Sequence, residues 1–197
     1  MGGLTRERIL AAAREALERY GPRKVSLGDV AGALGVTKAA LYHHFPGGKG
    51  EIIGGVLGEE AEAILAAMRS AAAEHSDARE RFRAAVVAKL ERVRWLLGAF
   101  TAGREAGETV RSVVEAVERR FAEGERALYE AIVRAGQAAG TFREASVERL
   151  ARGVRSALRD LETTILLDPG AMEETVDELF DILFYGLVRR RDRGGER

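Results

Sequence analysis

Only three prolines interrupt this chain, at positions 22, 46 and 169, and each falls where a helical spacing of apolar residues breaks off. Proline has no amide hydrogen and collides with the preceding turn, so long proline-free stretches leave helices free to run. Between the breaks, apolar side chains recur at i, i+3, i+4 and i+7 rather than alternating, and no Asn-Gly pair offers a hairpin turn. The expectation is an all-α fold. A first helix reads from about Thr5 to Tyr20, with Ile9, Ala13, Ala16, Leu17 and Tyr20 on one face, and Gly21-Pro22 stops it. Ser26 caps a second, whose inward stripe is Leu27, Val30, Ala31 and Leu34 and which ends at Gly35. Thr37 caps a third that reaches His44. Longer helices are expected over about 48–74, 77–100, 109–138, 146–167 and 171–190. A glycine-punctuated break covers 101–108, a turn covers 138–146, and Asp168-Pro169-Gly170 splits the last two helices.

Composition narrows the setting. With no cysteine there is no disulfide framework, so a reducing cytoplasm is the expected home. The charged N-terminus does not read as a secretory signal, and no apolar run approaches the ~18–20 residues of a membrane span, so no membrane partner is expected. The net charge of zero hides an asymmetry. Residues 1–50 hold eight Lys/Arg against four Asp/Glu, leaving 23 against 27 for the rest. A basic first quarter on an acidic body suits a polyanionic partner.

The stretch from Ala40 to Glu51, "ALYHHFPGGKGE", carries two of the three histidines. It is not a phosphate loop, because Gly50 follows Lys49 where Ser or Thr is needed and no strand precedes it. Its glycines miss the dinucleotide spacing by one residue. Adjacent helical residues point about 100° apart, so His43 and His44 cannot share a metal as an i, i+4 pair could. Neither a metal nor a cofactor is expected.

Two short helices joined by Gly35-Val36-Thr37 have the spacing of a helix-turn-helix. Gly35 suits the left-handed turn, Ala31 is small where the helices would cross, and Val36 and Leu41 pack the far side. With Leu41 at the origin of a helical wheel, Phe45 falls at about +40° and His44 at about −60°. Leu41 and Phe45 are therefore core, with His44 at its border. Ala39, Ala40, Tyr42 and His43 form the outward face. Small alanines let a backbone approach base edges, and His43 can read one. Tyr42 and Lys38 would reach phosphates from the flanks. Beyond Pro46, Gly47-Gly48-Lys49 would offer backbone N–H groups and a cation to another phosphate. The expected DNA-binding set is Ser26, Thr37, Lys38, Ala39, Ala40, Tyr42, His43, His44 and Lys49.

The segment "SLGDVAGALGVTKAALYHHFPGGKGEII" resembles the DNA-binding region of the TetR family of bacterial repressors. The shared pattern is Gly35-Val36-Thr37, Leu41-Tyr42, His44-Phe45, Lys49 and Ile52, and it covers residues 5 to about 53. The chain departs from it at Gly50, where an acidic residue is usual, and in carrying Gly54, Gly55 and Gly58, each costing a helix about 1 kcal/mol. The resemblance implies an N-terminal three-helix DNA-binding domain, 1–47, and a C-terminal helical ligand-binding and dimerisation domain, 48–197. It implies that His44 is structural or faces phosphate while His43 helps read the operator.

The last two helices carry dense apolar stripes, Val147, Leu150, Val154, Leu158, Leu161 and Ile165 on one. The other carries Met172, Val176, Leu179, Phe180, Leu183, Phe184 and Leu187. They could close the core of a single chain. The resemblance implies instead a homodimer interface, a four-helix bundle with two helices from each subunit. Geometry agrees, since one short reading helix binds few bases and a palindrome needs a two-fold pair. A ligand pocket is expected among the helices from about 60 to 167. Met68, Leu90, Trp95, Phe100, Phe121 and Tyr129 are candidate liners that also read as plain core. Thr101, Thr163 and Thr164 could add polar contacts. No charge cluster in the body fixes a ligand class.

The expected function is a ligand-responsive repressor that binds double-stranded DNA at a palindromic operator and is released by a small hydrophobic or amphipathic effector. The glycine-rich start of the fourth helix could serve as the pivot between pocket and head. The rivals are a DNA-binding regulator with no small ligand and a helical enzyme. Against the enzyme stand three histidines, no cysteine and no recognisable catalytic grouping.

Overall fold

The computed structural model describes residues 3–167 and 172–185, with the side chains of 160–167, 172 and 173 outside that description. All regular structure among the described residues is helical. The elements are α1 (Arg6–Lys24), α2 (Leu27–Leu34), α3 (Lys38–His44), α4 (Gly48–Ala73), α5 (Ala78–Arg104), α6 (Glu108–Ala138), α7 (Val147–Leu167) and α8 (Met172–Tyr185).

Local chemistry sets most of the boundaries. Thr5, Ser26, Thr37 and Asp77 each cap a helix by accepting a backbone N–H from its first turn. Gly35 adopts φ 66°, the left-handed stop that places α3 across α2. Helix α1 breaks at Gly21-Pro22 as expected, then adds one turn to Lys24. Tyr20, expected on its inner face, is exposed beside the Arg19 guanidinium. Helix α5 runs past its expected end at Phe100 to Arg104. Gly103 permits this, because Val114 of α6 occupies the space a side chain there would need. The break falls instead at Gly107, which has φ 96°.

Helices α4, α5 and α6 pack on one another as the main bundle. Helix α7 lies on α6, and α8 lies against α5 and α7. Helix α1 rests on α4 and α5 and carries α2, which in turn carries α3. One apolar core runs through from Ile9 to Phe180.

Gly54 and Gly55 of α4 have a packing role. A Cβ on Gly54 would collide with Val113 Cγ1 of α6, and one on Gly55 would lie 2.7 Å from Leu10 Cδ2 of α1. They are contact points at which two neighbouring helices close onto the start of α4. Burying α1 and α6 side chains there offsets the lost helix propensity.

Candidate functional site

Two sites emerge, one on the head and one in the body. On the head, Leu41 and Phe45 are fully buried, His44 is half-buried, and Tyr42 and His43 are exposed. This anchors α3 by one face and turns Lys38, Ala39, Tyr42 and His43 outward, with Ala40 half-buried at the edge. Ser26 and Thr37 are exposed but serve first as caps. Ser26 Oγ donates to Asp29 Oδ2 at 2.7 Å, and Thr37 Oγ1 accepts the Ala40 N–H at 3.2 Å. Hydrogen bonds from Ser26 hold the Asp29 carboxyl below its ordinary range. The paired histidines meet edge to face, with ring centroids 5.5 Å apart. Gly48, at φ 61°, carries no side chain to collide with the Tyr42 ring packed over it.

The turn after α3 differs from expectation. The Gly47 N–H is taken by Glu51 Oε2 at 2.9 Å and the Gly48 N–H by the Phe45 carbonyl at 2.8 Å, so neither is open to a phosphate. Lys49 is half-buried; its ammonium donates to the Arg23 carbonyl at 3.3 Å, and burial lowers its pKa. A residue that sequence reasoning missed fixes this corner. Arg6 donates to the His44 carbonyl, pairs with Glu51 at 3.1 Å and lies 3.9 Å over the Phe45 ring. It clamps the starts of α1 and α4 to the end of α3. Nothing in its spacing marked it out, because its partners lie 38 and 45 residues away.

In the body, α5, α6 and α7 enclose an open cleft of about 580 Å³, lined in part by Leu97, Phe100, Thr101 and Phe121. Small-molecule pockets run from about 300 to 1,000 Å³. The cleft also brings together Lys89, Arg104, Arg155 and Arg159 with Glu118 and Glu125, a charge cluster that the linear sequence does not display. Lys89 and Glu125 are buried and paired. Glu125 also accepts from Arg155 Nε at 3.0 Å and from the Tyr129 hydroxyl at 3.0 Å. Arg104 pairs with Glu118 at 2.9 Å at the mouth.

Of the expected liners, Phe100, Thr101 and Phe121 reach the cleft. Tyr129 acts through Glu125 beneath it. Met68 and Leu90 are core of the main bundle, and Trp95 packs under the Arg14 guanidinium. Those three are not at the cleft, because their faces of α4 and α5 are consumed by helix packing. Thr163 and Thr164 lie outside the described side chains.

The stripe assigned to an interface divides. Leu158, Val176 and Phe180 are at most 4% exposed within the single chain, so they are core rather than interface. The Phe180 ring packs tilted against those of Phe82 and Phe184, and Phe184 stacks on Phe142. Val147, Leu150, Val154, Leu179 and Phe184 are half-buried, and Leu183 is exposed beside Ile182 and Tyr185. The side chains of Leu161 and Ile165, and Leu187 entirely, lie outside the described residues.

Among the described residues no group of three His, Asp or Glu side chains gathers to hold a metal, and no helix is long and apolar enough to cross a membrane.

Residues 9–54 match the family described as bacterial regulatory proteins, tetR family. The chain is 30% identical to PfmR, a TetR family transcriptional regulator from Thermus thermophilus, over 92% of this chain and 100% of that one, with a TM-score of 0.61. It is 16% identical to the transcriptional regulator FadR from Bacillus subtilis, solved in complex with stearoyl-CoA, over 93% and 100% of the two chains, with a TM-score of 0.73. For the fatty acid degradation regulator FadR from Bacillus halodurans the identity is 18%, the coverage 96% and 100%, and the TM-score 0.72. The last two likenesses speak for the fold alone. None of the curated proteins matches the chain.

Proposed function

The chain belongs to the TetR family of bacterial transcriptional regulators, and from that premise we propose that it is a cytoplasmic, homodimeric repressor rather than an enzyme. Residues 1–47 bind a palindromic operator, and residues 48–197 form the effector and dimerisation domain. The observation that carries the reading is α3: its buried face is Leu41 and Phe45, and its exposed face offers Lys38, Ala39, Tyr42 and His43. That face suits a major groove, with His43 at a base edge and Lys38 and Tyr42 at phosphates. Thr37 and Ser26 add contacts from the helix starts, Ala40 lets the backbone approach, and His44 holds the corner. Lys49 meets a phosphate only by leaving the Arg23 carbonyl.

The subunits meet through the outer face of α8, where Ile182, Leu183 and Tyr185 are exposed, with Leu179 at its edge. A small amphipathic effector enters the cleft and shifts the dimer to a spacing that no longer fits the operator. In support, the cleft is of ligand size, and a neighbour of the same fold was solved with stearoyl-CoA. Packing of Val113 on Gly54 carries the motion from α6 to α4.

A gel shift on DNA upstream of the protein's own gene tests this. Affinity should fall steeply with salt, and Lys38→Ala should flatten that slope by about one unit for every sequence. His43→Ala should relax preference at one operator position, costing about 1–3 kcal/mol for the correct base. Leu183→Glu should yield monomers in sedimentation that keep helical circular dichroism and lose operator affinity. A salt-independent Kd, or a dimeric Leu183→Glu protein that binds DNA normally, counts against the reading.

A further inference from the structure

Resting on the regulatory reading above, we propose that the cleft takes an effector with an anionic head group, a carboxylate or a phosphate, and that this anion competes with Glu125 for the Arg155 guanidinium. Among the described residues, Lys89, Arg104, Arg155 and Arg159 line the cleft together with Glu118 and Glu125. The two carboxylates are both engaged: Glu118 by Arg104, and Glu125 by Lys89 and Arg155 together. Glu125 is thus shared by two cations, so Arg155 can give up its share without leaving that carboxylate unpaired. A wholly apolar occupant would strip water from those cations and return no hydrogen bonds. An anion returns them, and a guanidinium binds a carboxylate or phosphate through two parallel N–H donors.

The partners of Glu125 are not equally reachable. The Arg155 side chain is 30% exposed, whereas that of Lys89 is 4% exposed. Arg155 also lies on α7 beside Arg159, which lines the same cleft one turn further on. An entering anion therefore meets Arg155 before Lys89, while Leu97, Phe100 and Phe121 receive its apolar body. When Arg155 turns to the anion, Glu125 keeps Lys89 and the Tyr129 hydroxyl. No buried charge is stranded, which is the condition for a cheap exchange. The exchange breaks a tie between α6 and α7.

The test is calorimetric titration of the full-length protein with dodecanoate, dodecyl phosphate, dodecanol and dodecyltrimethylammonium, each below its aggregation concentration. At least one anion should bind about tenfold or more tighter than dodecanol, as one charge-assisted contact warrants, and the ammonium should bind worst. The stronger of the two anions identifies the head group. Added sodium chloride should weaken the anion and leave dodecanol unchanged. Arg155→Gln should cost the anion about tenfold and dodecanol less than about twofold, and Glu125→Gln, by removing the competitor, should tighten the anion. Circular dichroism reports whether each variant folds; if either does not, the head-group ranking and salt dependence of the wild type decide. Dodecanol binding as tightly as the anions, binding by none of them, or a folded Arg155→Gln protein with unchanged anion affinity overturns the proposal. A gel shift of the ligand-free protein runs alongside. DNA binding without anion selectivity sinks this proposal alone, and anion selectivity without DNA binding sinks the regulatory reading alone.

Discussion

The head and the cleft both depend on polar side chains, but they satisfy them over different distances. In the head, the capping groups Ser26, Asp29 and Thr37 bond to backbone or side-chain groups three residues away, and Arg6 supplies a longer clamp to the His44 carbonyl and Glu51. The groups are exposed, so each bond competes with water and contributes little alone. In the cleft, Glu125 meets Lys89 across 36 residues and Arg155 across 30. There Lys89 and Glu125 are buried, and their attraction must offset a large loss of hydration. The comparison teaches that the head presents a fixed surface through local caps, with Arg6 as a long clamp at its corner. The body concentrates its electrostatic stakes in one hub that joins α5, α6 and α7.

The largest expected effect lies in that hub. Lys89→Ala should cost about 3–5 kcal/mol in urea unfolding, because Glu125 loses its buried cationic partner. Lys89→Met with Glu125→Gln should restore part of that stability, since no unpaired charge is left buried and the amide oxygen still accepts from the Tyr129 hydroxyl. A Lys89→Ala cost below about 1 kcal/mol would break the contrast between buried and exposed polar groups.

Next come the α4 glycines, which sharpen the contrast with the head from the packing side. Gly54→Ala should destabilise by about 1–3 kcal/mol, since Val113 already fills the space. Gly58→Ala, which meets nothing within 4 Å, should stabilise by about 0.4–1 kcal/mol. Melting temperatures of the two variants should move in opposite directions. Equal shifts would mean that α4 and α6 do not press together there.

A smaller loss is expected in the head. Thr37→Ala should cost about 1 kcal/mol, the usual worth of an N-cap, and weaken operator binding more than it lowers the melting temperature. The smallest effect is a pH dependence. Hydrogen bonds from Ser26 hold the folded Asp29 pKa below its unfolded value. Its stabilisation is therefore present above the unfolded value and is lost as pH falls through the folded one. Asp29→Asn should flatten the acid limb of a melting-temperature profile; an unchanged limb would show that the capping box adds nothing.

Much of the head was legible because its determinants are neighbours in sequence. The caps at Ser26 and Thr37, the stop at Gly35 and the wheel through Leu41 and Phe45 each need only a few residues of context. Arg6 was not legible, because its worth depends on where α3 and α4 end in space. The cleft left half a signal. Lys89 interrupts the apolar stripe of Phe82, Val86, Val93, Leu96 and Phe100, and Glu125 interrupts that of Val117, Phe121, Tyr129 and Ile132. A charge on a buried stripe announces a partner without saying which one.

By itself the sequence determined the helices, their caps and the exposed face of α3, since backbone hydrogen bonding and periodicity act within a turn or two. Tertiary structure alone decided that Gly54 and Gly55 are contact points and that Leu158, Val176 and Phe180 belong to the core of one chain. It alone gathered Lys89, Glu125 and Arg155 around one cleft. A stripe or a charge records only that a surface must be covered; which surface covers it depends on how long helices cross, and that is fixed by the packing of the whole core.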